Sequence, residues 1–262
     1  MNFQKIRETV KSKISNNTLY YSVIQSIYYK IKKALDFLFF KFRYPLTKWI
    51  YIFKGIDSSE SFSQFGQDKF ILQLAGEVEG GWRYVEVGAN HPIRLNNSFL
   101  LEKYNWTGIS IDPLSKYNKE WLQLRKQPFV NLAIGEIDTT LQFVEFSGNE
   151  LWYDMMSGFK QYVRPEDLIT FSSIEYEVQV KTLDKVIPFD VFDVLLIDVE
   201  GAEMQVLKGL DLSKHRPMYV LLENANFIGG DSKLRKYMYR KGYKLIARIG
   251  CTDDIFERVN ES

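Results

Sequence analysis

Two stretches of this chain end an apolar run on a carboxylate and then continue into small residues. The first is Tyr84-Val85-Glu86-Val87-Gly88-Ala89-Asn90, and the second is Val194-Leu195-Leu196-Ile197-Asp198-Val199-Glu200-Gly201. In an open α/β sheet, ligands bind outside the carboxyl ends of parallel strands. Each stretch therefore brings an acid to a ligand-binding edge. Gly88 has no Cβ, so backbone there can come close to a ligand, with Ala89 and Asn90 completing the turn. A dinucleotide would call for G-x-G-x-x-G opening a helix, so that a pyrophosphate meets free N–H groups. That spacing is missing, and an acid beside a single glycine suits a nucleoside-type cofactor without phosphates. Ile109-Ser110-Ile111-Asp112-Pro113 adds a third strand-end acid, at the separation from the glycine turn where a carboxylate holds ribose hydroxyls. The plainer use of Asp112 is to cap a helix starting near Ser115.

Asp198 ends a buried run and is a candidate general base toward a hydroxyl. Its other use is to hold a divalent cation with Glu223, since magnesium takes oxygen ligands and keeps several waters. Glu200, at the expected start of a helix, would meet the helix dipole favourably, which is a structural role. His91 adjoins the glycine turn and is a candidate base or substrate contact. Trp152, Tyr153, Met155, Met156 and Ser157 lie in a long connection of the kind that forms lids or substrate walls. Core packing accounts for Trp152 equally well.

The elements that must position these residues alternate. Strands are expected at Arg83–Val87, Thr107–Ile111, Phe129–Ile134, Phe192–Ile197 and Met218–Leu222, with helices at Asp68–Leu74, Asn97–Tyr104, Ser115–Arg125, Ala202–Leu207 and Ser232–Lys241. Leu141–Phe146 and Tyr176–Val180 read as further strands, and Tyr243–Ala247 and Asp254–Arg258 close the chain as strands. This succession argues a doubly wound α/β sheet.

Ser63-Gln64-Phe65-Gly66-Gln67-Asp68, Val85-Glu86-Val87-Gly88-Ala89-Asn90, Trp106-Thr107-Gly108-Ile109-Ser110-Ile111-Asp112-Pro113 and Ile197-Asp198-Val199-Glu200-Gly201-Ala202-Glu203 together resemble the FkbM family of S-adenosylmethionine-dependent methyltransferases. The resemblance runs from about Ser63 to Arg258. It implies a mostly parallel seven-stranded sheet of the class I methyltransferase type with a late antiparallel strand. It also implies bound S-adenosylmethionine and O-methylation of a sugar or natural product. Carried over by position, Glu86 lies near the methionine amino group, Gly88 lines the methionine moiety, and Asp112 holds the ribose. Asn131, Ala133 and Ile134 border the adenine. Many relatives have a second glycine where this chain has Pro92, after His91; proline offers no backbone donor.

The rest of the chain sets bounds. Its 262 residues allow one substantial core and an appendage. One cysteine and two histidines exclude an internal disulfide and a cysteine- or histidine-rich metal site. Charge is divided unevenly: residues 1–54 carry eleven Lys and Arg against two acids, a net +9, which leaves −8 on the remainder. Residues 1–57 are thus expected to be a basic, aromatic-rich helical extension and residues 58–262 the methyltransferase domain. From Tyr20 to Phe42 apolar residues recur at helical spacing among lysines. Such a helix would lie on an anionic membrane or pack on protein. No apolar run reaches the length of a membrane span, and no secretory signal is evident. The expected location is cytoplasmic, peripheral at the inner face of the membrane. The expected acceptor is a small molecule, a glycan or a glycolipid precursor. Nucleic acid is not expected, because the acidic domain offers no basic groove. The alternatives are a nicotinamide-dependent oxidoreductase and a membrane-associated binding protein that keeps the fold without turnover.

Overall fold

The computed structural model describes residues 61–76, 81–148, 152–224, 230–250 and 252–259. The extension of residues 1–57 lies outside the described residues. Helix α1 (Gln67–Ala75) leads to β1 (Arg83–Val87), α2 (Phe99–Lys103), β2 (Thr107–Ile111), a 3₁₀ turn at Ser115–Tyr117 and α3 (Asn118–Leu124). Then come β3 (Phe129–Val130), β4 (Ala133–Ile134), β5 (Thr139–Ser147), a 3₁₀ turn at Tyr153–Met156 and β6 (Gly158–Phe159). After α4 (Pro165–Thr170), β7 (Ser172–Lys181) and α5 (Leu183–Val186) the chain returns through β8 (Val194–Ile197), α6 (Glu203–Lys208), α7 (Leu212–His215) and β9 (Tyr219–Glu223). Helix α8 (Ser232–Arg240), β10 (Tyr243–Ile249) and β11 (Asp253–Arg258) follow.

The main sheet has seven strands in the order β10-β11-β9-β8-β1-β2-β3. The sheet expected to be mostly parallel is mixed. Strands β9, β8, β1, β2 and β3 pair in parallel, whereas β11 runs antiparallel to both β9 and β10. Central strands read as unbroken apolar runs because both faces are covered. Every residue of Val194-Leu195-Leu196-Ile197 is buried accordingly. Phe70, Ile71, Tyr84, Leu101, Trp106, Val194, Leu196 and Leu221 form one core cluster around this sheet.

Strand order reverses between β1 and β8. From β1 the chain builds outward through β2 and β3, and from β8 outward through β9, so the two carboxyl ends at the centre splay their loops apart. That is where an α/β sheet opens a crevice.

A second sheet, β4-β7-β5-β6, did not stand out in the sequence. The run expected as one strand over Phe129–Ile134 is two. Phe129–Val130 extends the main sheet beside β2, whereas Ala133–Ile134 pairs with β7. The break comes where the Asp112 carbonyl accepts both the Leu132 N–H and the Asn131 side-chain amide. Strands β5 and β7 form a long antiparallel ladder from Thr139↔Val180 to Ser147↔Ser172. Their alternating apolar and polar residues leave one face to solvent. The other face packs Phe143 and Val178 against Leu114, Ala133, Phe159 and Ala202. The small sheet thereby becomes one wall of the crevice. Among the described residues no helix is long and apolar enough to cross a membrane.

Candidate active site

A cleft of about 770 Å³, its open mouth included, lies at the carboxyl ends of β1, β2 and β8. Glu86, Gly88, Ala89, Asn90, Asp112, Ala133, Ile134 and Asp198 line it, as does Glu200. Side chains from the second sheet and its connections close it: Phe143, Asp154, Met155, Ser157 and Phe159.

The glycine turn is built by backbone. Gly88 N–H and Ala89 N–H both donate to the Ile111 carbonyl, at 2.9 and 3.2 Å, and Asp198 N–H donates to Val87 at 3.0 Å. Gly88 has φ of 84°, and a Cβ there would sit 1.6 Å from the Asp198 carbonyl oxygen. The close approach that requires glycine is therefore between the ends of β1 and β8. Gly88 lines the cleft as well.

Glu86 is buried in a web of donors that all fall on Oε2. Ser98 Oγ donates at 2.6 Å, Ser110 Oγ at 2.7 Å and Asn96 Nδ2 at 3.4 Å. Burial raises its carboxyl, and the nearby Arg125 guanidinium pulls it back. Arg125 bonds Ser98 Oγ, Asn96 Oδ1, Tyr84 Oη and the Pro92 carbonyl, and pairs with Glu102 at 2.6 Å. Pro92 thus serves this loop with its carbonyl. No local pattern marks Arg125, because its partners lie 23–41 residues away.

Asp112 accepts the Asn90 N–H on Oδ2 at 2.9 Å and the Leu114 N–H on Oδ1 at 2.8 Å. It binds the turn before the 3₁₀ segment and also the glycine turn, so it does more than cap. Burial lifts its pKa to about 6, against the pull of those two N–H groups. Asn131 is exposed, is not among the lining residues, and spends its amide on the Asp112 carbonyl. Leu132, which was not expected there, lines the cleft wall in place of Asn131.

His91 does not reach the cleft. Its Nδ1 accepts the N–H groups of Ile93 and Arg94, and its Nε2 faces Glu120 at 3.1 Å. Both ring nitrogens are committed to shaping the loop. Burial and the Arg94 charge lower its pKa, which favours the neutral ring. The sequence-based expectation of a catalytic histidine is corrected on this ground.

The β8 edge is different. Asp198, Glu200 and Glu223 bring carboxylate oxygens within 4.8 Å of one another. Burial first, and then the Glu200 charge, raise Asp198 well above the ordinary range; the Glu223 carboxyl, in hydrogen-bonding range, draws it part of the way back. Glu200 rises to about 8 through burial and Glu203. It has φ of 52° and precedes Gly201 at 102°, a left-handed pair that swings it into the cleft. A non-glycine residue in that region is strained, and such strain concentrates at functional sites. Helix α6 begins at Glu203, so Glu203 takes the dipole position expected for Glu200 and accepts the Gly201 N–H at 2.8 Å. Asp253 enters the cluster because β11 pairs Asp253 with Glu223. Gln67, from the Ser63–Asp68 motif, donates to Asp253 at 2.9 Å. Asp68 folds that motif by accepting from Ser61, Ser63 and the Phe62 N–H.

Fold and site define an α/β domain with a cleft rich in carboxylates at the carboxyl ends of its parallel strands. A model of the methyltransferase FkbM domain matches residues 86–245. The chain belongs to this family, and the domain is that of a methyltransferase. The match runs from within β1 to within β10 and so contains Glu86, Asp112, Asp198 and Glu223; the Ser63–Asp68 motif precedes it. A search of curated proteins finds no match.

Proposed function

We propose that the protein transfers a methyl group from S-adenosylmethionine to a hydroxyl of a glycan, glycolipid precursor or related natural product. One observation carries the cofactor reading. Among the described residues the lining of the cleft includes Glu86, Asp112, Asp154, Asp198 and Glu200, and no lysine, arginine or histidine. Such a site repels a pyrophosphate and favours a cationic ligand. A sulfonium nucleoside carrying an ammonium group fits that donor set, whereas a nicotinamide dinucleotide does not. When bound, it supplies an activated methyl group.

The remaining work falls to the chain. Leu114, Leu132, Ala133, Ile134, Phe143 and Phe159 give an apolar wall for a base. Glu86 keeps Oε1 outside its web of donors and is available to an ammonium group. Asp112 retains lone pairs for ribose hydroxyls. Asp198 accepts the proton of the acceptor hydroxyl, a role for which a raised carboxyl pKa is suited near neutral pH. Holding the hydroxyl oxygen in line with the methyl group contributes several kcal/mol, on the order expected for orientation. A second reading of the β8 edge rests on the proximity of Asp198, Glu200 and Glu223, which could hold a magnesium ion that orients the hydroxyl. Loss of activity on EDTA treatment, restored by magnesium, supports it; indifference to EDTA supports direct base catalysis.

Parallel calorimetric titrations with S-adenosylhomocysteine and NAD test the cofactor class. Binding of the first alone is expected, and binding of NAD alone overturns the proposal. The basic segment of residues 1–54 is read as a peripheral tether to anionic membrane at the cytoplasmic face. Equal flotation with anionic liposomes of the full chain and a chain beginning at Ser58 would remove that role.

A further inference from the structure

Asp154 stands between Tyr153 and Met155 in the long connection before β8. It sits in the 3₁₀ turn Tyr153–Met156, lines the cleft, and is 8% exposed. Its two oxygens are treated very differently. Oδ2 accepts from the Tyr117 hydroxyl and lies 3.1 Å from Lys116 Nζ and 4.0 Å from Arg94 Nη2. Oδ1 is buried and has no hydrogen-bond partner among the described residues. An unsatisfied buried carboxylate oxygen costs free energy, and this one belongs to a side chain that is otherwise fixed.

The backbone fixes it as well. The Asp154 carbonyl accepts the Ser157 N–H at 3.1 Å and the Asn90 side-chain amide at 3.4 Å. The same Asn90 gives its backbone N–H to Asp112. Asn90 thus ties together the two acids at this end of the cleft, and the Asp154 charge contributes to the raised Asp112 pKa. Each Asp112 oxygen already accepts one backbone N–H, whereas Asp154 Oδ1 accepts none.

We propose that Asp154 Oδ1 accepts a hydrogen bond from one hydroxyl of the ribose diol, with Asp112 taking the other. The assignment rests on the reading that the cleft binds an adenosyl cofactor. It makes the turn between β5 and β6 part of the nucleoside site. Lys116 and Tyr117 act as positioning residues that hold the carboxylate through its other oxygen.

The test is calorimetric titration of the full chain with S-adenosylhomocysteine and with its 2′-deoxy and 3′-deoxy analogues. Asp154→Ala should weaken S-adenosylhomocysteine binding by roughly ten- to a hundredfold, the size expected for a charge-assisted hydrogen bond. For one of the two deoxy analogues, parent and variant should bind almost alike. Asp154→Asn, which keeps the size, should show the same pattern with a smaller loss and serves if the alanine variant does not fold. The Lys116→Met, Tyr117→Phe double variant cuts the bonds to Oδ2 and should lose severalfold less. Three results overturn the assignment: Asp154 variants that bind within twofold of the parent, a loss undiminished for both deoxy analogues, or an equal loss in the double variant. Failure of the parent itself to bind S-adenosylhomocysteine would instead sink the cofactor reading on which the assignment stands.

Discussion

The two edges of the cleft use carboxylates in opposite ways. At the β1–β2 edge, Glu86 and Asp112 are surrounded by donors: two serine hydroxyls, an asparagine amide and two backbone N–H groups. At the β8–β9 edge, Asp198 and Glu223 are surrounded by other acids, with Glu200, Glu203 and Asp253 all raising their pKa values. Donors hold a carboxylate in one orientation and offset part of the cost of burying its charge. Neighbouring acids leave the charge state open, because crowded carboxylates cannot all ionise. On the proposed function, the first edge binds the cofactor, and the second exchanges a proton or takes up positive charge.

The largest expected effect falls where the two edges meet. Gly88→Ala forces a Cβ against the Asp198 carbonyl at a positive φ. It should cost about 4 kcal/mol or more in urea unfolding, as steric strain of this kind does. A loss below 1 kcal/mol would show that the ends of β1 and β8 can part freely.

Asp198→Asn is the next largest. It should reduce turnover by two or more orders of magnitude, a typical contribution of a positioned base, and leave S-adenosylhomocysteine affinity nearly unchanged. If affinity falls along with turnover, the two edges are not functionally separate. Asp112→Ala should do the reverse, weakening binding by about 1.5–3 kcal/mol through loss of charge-assisted bonds. Unchanged affinity in that variant would remove Asp112 from the cofactor site.

The smallest effect sharpens the electrostatic half of the comparison. Glu200 titrates near 8 when folded, against an ordinary 4.5. The folded chain holds that proton more tightly than the unfolded chain, so stability falls as pH rises from about 4.5 to 8. Glu200→Gln removes this loss. Its melting temperature should match the parent near pH 4 and exceed it at pH 8.5, by less than the full shift implies because the side chain is only half-buried. No gain at pH 8.5 would mean that Glu200 is already relieved of its neighbours' repulsion.

Much of this was legible in the chain because it depends on local pattern. The strands Arg83–Val87 and Thr107–Ile111 were expected within the bounds observed, since continuous apolar runs ended by turn residues identify buried strands. The acids that end them follow from strand direction alone. Glu86, Asp112 and Asp198 therefore reached the cleft as expected. His91 did not, because adjacency in sequence says nothing of which way a ring points once two N–H groups bind it.

What tertiary structure alone decided is which distant residues meet. The split of 129–134 between two sheets follows from the pairing of Ala133 with Val180. Strands β5 and β7 carry an alternating pattern in sequence, but only their ladder makes a wall that brings Phe143, Asp154 and Phe159 to the cleft. Arg125 under Glu86, and Asp253 beside Glu223, are likewise contacts across long loops. The sequence by itself determined the alternation of strands and helices, the acid-bearing strand ends and the absence of a dinucleotide turn, because propensity and periodicity act between neighbours in the chain. The electrostatic character of each edge was settled by packing, because a carboxylate's charge state depends on the groups folded around it.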